Sequence, residues 1–132
     1  MNKVKFVIVG SGNISSTYIR ALKNITRAEL VGLVSRSGKR PDSIYNMDIE
    51  VADSIGNIKT DFDALILCTP NGLHHDGAIE ASSIGKHVLS EKPLCISIES
   101  MDEMIESCRK ANVKLGIAYQ RRTSPDNITI KK

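Results

Sequence analysis

The chain has no tryptophan, and its two phenylalanines and three tyrosines make aromatic residues only 4% of 132 positions. Surfaces that hold single-stranded nucleic acid need aromatic platforms set in a basic groove. Neither is provided, because the net charge is only +3 and Lys, Arg, Asp and Glu are mixed along the sequence. Nucleic acid is therefore not an expected partner. Long hydrophobic runs are missing too. Nothing approaches the roughly 18 apolar residues of a membrane span, so a membrane partner is not expected either. Lys3 and Lys5 precede apolar residues 6–9, but that stretch is too short for a signal peptide and meets a glycine loop where a cleavage site would stand. The expected compartment is the cytoplasm. Cysteines are few, odd in number and far apart, at Cys68, Cys95 and Cys108. That pattern suits reduced, mostly buried thiols and gives neither a disulfide framework nor a metal-ligand set.

What remains is 41% hydrophobic and 25% charged residues, an ordinary balance for one folded domain with a single core. Val4-Lys5-Phe6-Val7-Ile8-Val9 is a β-rich run that stops at Gly10, which predicts a buried strand. Ile14, Tyr18, Ile19, Leu22 and Ile25 then fall at helical spacing, in a helix expected from about Asn13 to Asn24. Leu30-Val31-Gly32-Leu33-Val34 reads as a second strand, followed by an exposed loop rich in Ser, Gly, Pro and charge. Residues 43–62 are hard to read, with a short strand at 49–52 and one helical turn at 55–59 as the best expectations. Ala64-Leu65-Ile66-Leu67-Cys68-Thr69 is apolar enough for a strand covered on both faces. A helix over 77–83, a strand over 87–90, a helix around 98–111 and a strand over 114–119 complete the pattern. In the 98–111 helix, Ile98, Met101, Met104, Ile105, Cys108 and Ala111 form one apolar stripe expected to face the core, and Ser100 with Glu103 fits a capping box. Residues 125–132 resemble the start of another helix. Alternating strands and helices imply right-handed crossovers, hence a doubly wound, mostly parallel α/β sheet with helices on both faces.

Gly10-Ser11-Gly12-Asn13-Ile14-Ser15 fits G-x-G-x-x-G, with serine in the third glycine's place. The first glycine permits the tight turn out of the strand. The second lets backbone approach a pyrophosphate, whose charge is met by free N–H groups at the helix N-terminus. The motif follows a strand and opens a helix inside a βαβ unit, the context that a Rossmann-type dinucleotide site requires. At the end of the second strand, an NAD site usually offers a carboxylate to the ribose hydroxyls. Here Ser35-Arg36-Ser37 stands instead, with Lys39 and Arg40 close behind. A guanidinium suits a 2′-phosphate, so the expected cofactor is NADP, with NAD as the alternative.

Two further motifs sit past strand ends: Thr69-Pro70-Asn71-Gly72-Leu73-His74-His75, and Gly85-Lys86-His87-Val88-Leu89-Ser90-Glu91-Lys92-Pro93. Together with the glycine loop and Tyr119-Gln120-Arg121-Arg122, this order of T-P-N-x-x-H, G-K-H-V and E-K-P resembles the Gfo/Idh/MocA oxidoreductase family. The resemblance implies an NAD(P)-dependent enzyme that moves a hydride to or from a sugar, cyclitol or related alcohol. It implies that Gly10, Gly12, Asn13 and Ile14 hold the pyrophosphate, and Ser35 and Arg36 the adenosine ribose. Thr69, Pro70, Asn71 and His74 would line the middle of the cleft. Glu91, Lys92 and Pro93 would lie by the nicotinamide ribose, with Pro93 cis. Lys92 is the candidate catalytic residue, its ammonium polarising the substrate oxygen. Tyr119, Gln120 and Arg122 would reach the same cleft. Adjacent His74 and His75 suggest metal, but no third ligand stands nearby, and no metal is expected.

Family members are usually more than twice as long, with a C-terminal domain that forms the substrate pocket and supplies an Asp and a His for proton relay. On this reading residues 1–120 are the dinucleotide-binding domain, and 121–132 begin the connection to a missing substrate domain. The chain alone would bind cofactor without efficient turnover. It would be monomeric, while the full-length protein forms a homo-oligomer. Two other readings stay open. One is a non-catalytic dinucleotide sensor, since a fold does not prove chemistry. The other is an enzyme like diaminopimelate dehydrogenase, whose second strand residues 30–36 resemble, although E-K-P argues against it.

Overall fold

Six parallel strands in the order β3-β2-β1-β4-β5-β6 make one sheet. The structure is a computed structural model that describes residues 2–131. β1 (Val4–Val9) and β4 (Ala64–Leu67) lie side by side at its centre. Val7, Ile8, Leu65, Ile66 and Leu67 are each at most 1% exposed. Burying side chains of this size contributes about 1.5–3 kcal/mol each, which explains why the central strands are apolar on both faces rather than alternating.

From β1 the chain crosses through α1 (Asn13–Lys23) to β2 (Ala28–Val34), and β3 (Glu50–Ala52) pairs outside it. β4 leads through α2 (His74–Ser83) to β5 (His87–Glu91), then through α3 (Ile98–Lys110) to β6 (Leu115–Ala118). Ile19 and Leu22 of α1 join Ile8, Leu33 and Ile66 in one core, while Ala78, Ala81, Met104 and Cys108 of α2 and α3 join Val7, Leu65 and Val88 in the other. Helices therefore cover both faces. The β1–β2 register shifts between Phe6 and Val7, so Phe6 pairs with Leu30 but Val7 with Gly32. That extra residue lets Leu30 and Leu33 share one core while Val31 and Val34 pack in the other.

α1 ends with Arg20 and Lys23 in its last turn, where cations complement the helix dipole. A short α4 (Pro125–Lys131) follows a 3₁₀ turn, and neither buries a residue. No helix among the described residues is long and apolar enough to cross a membrane. Cys68, Cys95 and Cys108 are free and buried.

Three sequence expectations need correction. α3 begins one turn before the Ser100–Glu103 box: Ser97 is the cap, its Oγ accepting the Ser100 N–H at 3.1 Å. Ser97 holds extended backbone, so Ser100 already lies inside the helix. The apolar stripe is narrower than its spacing implies, because Ile98 and Ile105 are 73% and 49% exposed. Arg40 is not free for a phosphate. Its guanidinium donates to the carbonyls of Ile44, Met47 and Ile49 at 3.3, 2.9 and 2.7 Å, and this clasp shapes the loop between β2 and β3.

Glu103, released from capping, reaches His75 on α2. His75 Nε2 lies 2.7 Å from Glu103 Oε2, and Nδ1 lies 3.1 Å from Asp76 Oδ1. The hydrogen bond to Asp76 foremost, then Glu103, holds the imidazolium to higher pH than an ordinary histidine, with partial burial opposing. A pKa raised by folding stabilises the protein below the unfolded value of about 6.5 and stops doing so as pH rises through the folded value. Thermal melts of the native chain and His75→Gln should therefore differ most near about pH 6 and converge at alkaline pH. A difference that stays constant with pH would show that the pair contributes no titrating stability.

Candidate functional site

The strand order reverses direction at β1 and β4, and a crevice opens outside their carboxyl ends. Gly10 takes φ +107° there, and a Cβ on it would lie 2.8 Å from the carbonyl carbon and oxygen of Cys68. Its N–H donates to the Val34 carbonyl at 2.8 Å, tying the turn to β2. Gly12 is the N-cap of α1, which carries no side-chain cap and no acidic residue in its first turn. A Cβ on Gly12 would meet nothing within 4 Å. Ser15, in the third glycine's place, is wholly buried and turns its hydroxyl back to the Gly12 carbonyl at 2.5 Å. Serine is thus accommodated by a hydrogen bond within the loop.

A cleft of about 610 Å³ joins these groups, with Gly10, Gly12, Asn13 and Ile14 on one wall and Thr69 and Pro70 on the other. Arg36 and Asp53 line its far end. Thr69 Oγ1 is buried and has no hydrogen-bond partner, an uncommon state for a polar atom in a folded protein. An uncapped helix N-terminus, open space above Gly12 and an unpartnered hydroxyl on one cleft fit a ligand rich in phosphate and hydroxyl oxygens. Ser35 is only 4% exposed and does not line this cleft; its Oγ lies 3.2 Å from Ser37 Oγ. Asn71 stands exposed in a 3₁₀ turn, also outside the lining. Sequence reasoning missed Asp53. Its signal was its place just past the carboxyl end of β3, the short strand expected at 49–52.

The second group of motif residues gathers past β5. Glu91 is buried, and its carboxylate accepts from Tyr18 Oη at 2.5 Å, Gln120 Nε2 at 2.9 Å and the Lys92 N–H at 3.2 Å. One carboxylate thus ties α1, β5 and the turn after β6. Burial, then the hydrogen bond and charge of Glu91, push the Tyr18 hydroxyl well above the usual tyrosine range. Burial and the Glu91 charge push the Cys68 thiol up to about 12, so it is no nucleophile at neutral pH. His74 is wholly buried, with Nδ1 2.9 Å from the Pro93 carbonyl oxygen and Nε2 2.8 Å from that of Thr69. Both ring nitrogens face protein, so the imidazole braces the Thr69 loop against the Pro93 loop. The Lys92–Pro93 peptide is cis. Lys92 and Gln120 are exposed and line a second cavity of about 720 Å³, together with Tyr119 and Arg122. Among the described residues no group of three or more His, Cys, Asp or Glu is placed to hold a metal ion.

Residues 4–119 match the Gfo/Idh/MocA family, an oxidoreductase family with an NAD-binding Rossmann fold. The 1,5-anhydro-D-fructose reductase of Ensifer adhaerens is 30% identical over 89% of this chain and 36% of its own length. The NADP(+) scyllo-inositol 2-dehydrogenase IolU of Bacillus subtilis is 29% identical over 98% of this chain and 40% of its own. The crystal structure of the WlbA dehydrogenase from Bordetella pertussis, in complex with NADH and UDP-GlcNAcA, superposes with a TM-score of 0.90. It is 32% identical over 98% of this chain and 41% of that one. The chain thus spans well under half the length of these relatives. The glycine turn, the reversal between β1 and β4 and the match from end to end of the sheet lead to one assignment: the chain belongs to the Gfo/Idh/MocA oxidoreductase family, as its NAD-binding Rossmann domain.

Proposed function

We propose that this chain is the cofactor-binding part of a dehydrogenase that moves a hydride between a nicotinamide dinucleotide and a sugar, cyclitol or related alcohol or carbonyl compound. The observation that carries the reading is the cleft where the uncapped α1 N-terminus, the open space at Gly12 and the unpartnered Thr69 Oγ1 converge. A pyrophosphate would lie against Gly10, Gly12 and the N–H groups of Asn13 and Ile14, where the helix dipole favours an anion. Thr69 Oγ1 would gain a partner from the bound ligand, Pro70 would shape that wall, and His74 would brace it from behind. The nicotinamide, when bound, supplies the carbon that accepts or donates the hydride.

Lys92 would be the catalytic residue, holding the substrate oxygen with its ammonium as charge changes there. Glu91, His74, Pro93 and Gln120 would fix the backbone from which Lys92 projects. The relatives are more than twice as long, which supports reading residues 121–132 as the start of a connection to a substrate domain. This chain alone would then bind cofactor without efficient turnover, and the whole protein would be a cytoplasmic homo-oligomer.

Arg36, exposed on the cleft past β2, supports NADP over NAD, because a guanidinium can grip a 2′-phosphate with paired hydrogen bonds. Asp53 on the same wall supports NAD as the second reading, since a carboxylate suits free ribose hydroxyls. Calorimetric titration at fixed salt separates them. NADPH is expected to bind roughly tenfold tighter than NADH, with Arg36→Glu reversing the order. NADH binding as well as NADPH would overturn the role of Arg36 and leave the dinucleotide site standing.

The two glycines should separate fold from binding. Gly12→Ala places its Cβ in open space, so urea unfolding should change by no more than about 1 kcal/mol while NADPH affinity falls by roughly tenfold. Gly10→Ala should destabilise the chain by about 2–4 kcal/mol, because its Cβ meets backbone at a strained φ. Full NADPH affinity in Gly12→Ala would contradict a pyrophosphate at this loop.

A further inference from the structure

The cavity next to Lys92 has an electrostatic character that hydride transfer to a neutral polyol does not require. It occupies about 720 Å³ across the carboxyl ends of β5 and β6, and Arg121, Arg122 and Lys131 line it with Lys92. No carboxylate lines it. Among the described residues, none of these four side chains has an ion-pair or hydrogen-bond partner. Other cations also stand unpaired on the surface, but these four share one concavity. The neighbouring carboxylate, Glu91, offsets at most one of these four charges. It is buried, and its oxygens already accept from Tyr18, Gln120 and the Lys92 amide.

Four cations facing one concavity repel one another, and a chain of net charge +3 concentrates there more positive charge than it carries overall. An anion removes that repulsion. The cofactor's own 2′-phosphate is not the anion concerned. Arg36 follows β2, and Arg121 and Arg122 follow β6, four strand spacings away, or about 19 Å across the sheet. Tyr119, 46% exposed on the same cavity, offers a ring face of the kind that packs against the C–H face of a sugar.

Resting on the dehydrogenase reading above, we propose that the substrate is an anionic sugar or cyclitol, bearing a phosphate or a carboxylate. Its anionic group is held by Arg121, Arg122 and Lys131, while Lys92 holds the reacting oxygen. Guanidinium forks bind either oxyanion with paired, charge-assisted hydrogen bonds, so both belong to the same recognition chemistry. The reacting hydroxyl and the anionic group then sit at opposite ends of one ring.

The test is an NMR-detected titration of the 132-residue chain with glucose 6-phosphate, glucuronate and glucose, both without cofactor and with saturating NADPH. At least one of the two anions should bind roughly tenfold tighter than glucose, and its affinity should fall as salt rises. The tighter of the two identifies phosphate or carboxylate as the group preferred. Arg121→Gln/Lys131→Gln should lose roughly tenfold in anion affinity while NADPH affinity stays unchanged. Equal affinity for glucose and both anions, no binding of either anion, or full anion affinity in the double variant would each overturn the proposal. Failure to bind NADPH while the anion still binds at Arg121 and Lys131 would instead overturn the reading of the dinucleotide cleft alone.

Discussion

The contact between Gly10 and the carbonyl of Cys68 sets the geometry on which the rest of the site depends. β1 and β4 end side by side, and the turn leaving β1 passes so close to β4 that any Cβ at Gly10 would press into backbone at 2.8 Å. Because the turn is that tight, α1 begins almost at the strand end, with its first N–H groups at the mouth of the crevice. The same closeness puts the Thr69 amide 3.1 Å from where a Gly10 Cβ would stand, so the loop after β4 becomes the second wall. Helix dipole, open backbone and unpartnered hydroxyl are brought together by one backbone approach.

Two buried polar ties then carry this arrangement sideways across the sheet. His74 joins the carbonyls of Thr69 and Pro93, so the loops after β4 and β5 move together. Glu91 accepts from Tyr18 on α1 and from Gln120 past β6, joining the two ends of the crevice through one carboxylate. Buried polar groups are costly unless paired, and these are paired with one another rather than with solvent. Lys92 therefore projects from a backbone fixed on both sides, the support that its proposed role at a substrate oxygen would require.

The central strands and α1 were legible because burial on both faces of the sheet demands apolar runs, and the glycine loop because only Gly tolerates that approach. Residues 43–48 were not, since their course follows the Arg40 guanidinium on three carbonyls and no periodicity encodes such a clasp. The short strand and single turn expected after them are β3 and the 3₁₀ turn Ile55–Asn57. Arg40, close behind Arg36 in the sequence, is spent inside the loop by the same clasp. Asp53 escaped notice because the pairing of β3 beside β2, which brings its carboxyl end to the same crevice, is not written in the strand itself. The bounds of α3 were legible from its apolar spacing, but its cap was misplaced by one turn, as Ser97 and Ser100 offer the same chemistry and only the backbone tells them apart. The cationic cavity draws on Lys92 after β5, Arg121 and Arg122 after β6, and Lys131 on α4, residues whose convergence depends on β5 and β6 lying side by side.

The central claim is that a dinucleotide lies along the crevice from Arg36, over the glycine loop, to Lys92. Backbone amide chemical shifts of the 132-residue chain, recorded with and without NADPH, test it most directly. The account predicts large changes at Gly10, Gly12, Asn13, Ile14 and Thr69, with smaller ones at Arg36 and Lys92. Unchanged glycine-loop amides at saturating NADPH, or changes confined to Arg121, Arg122 and Lys131, would contradict it.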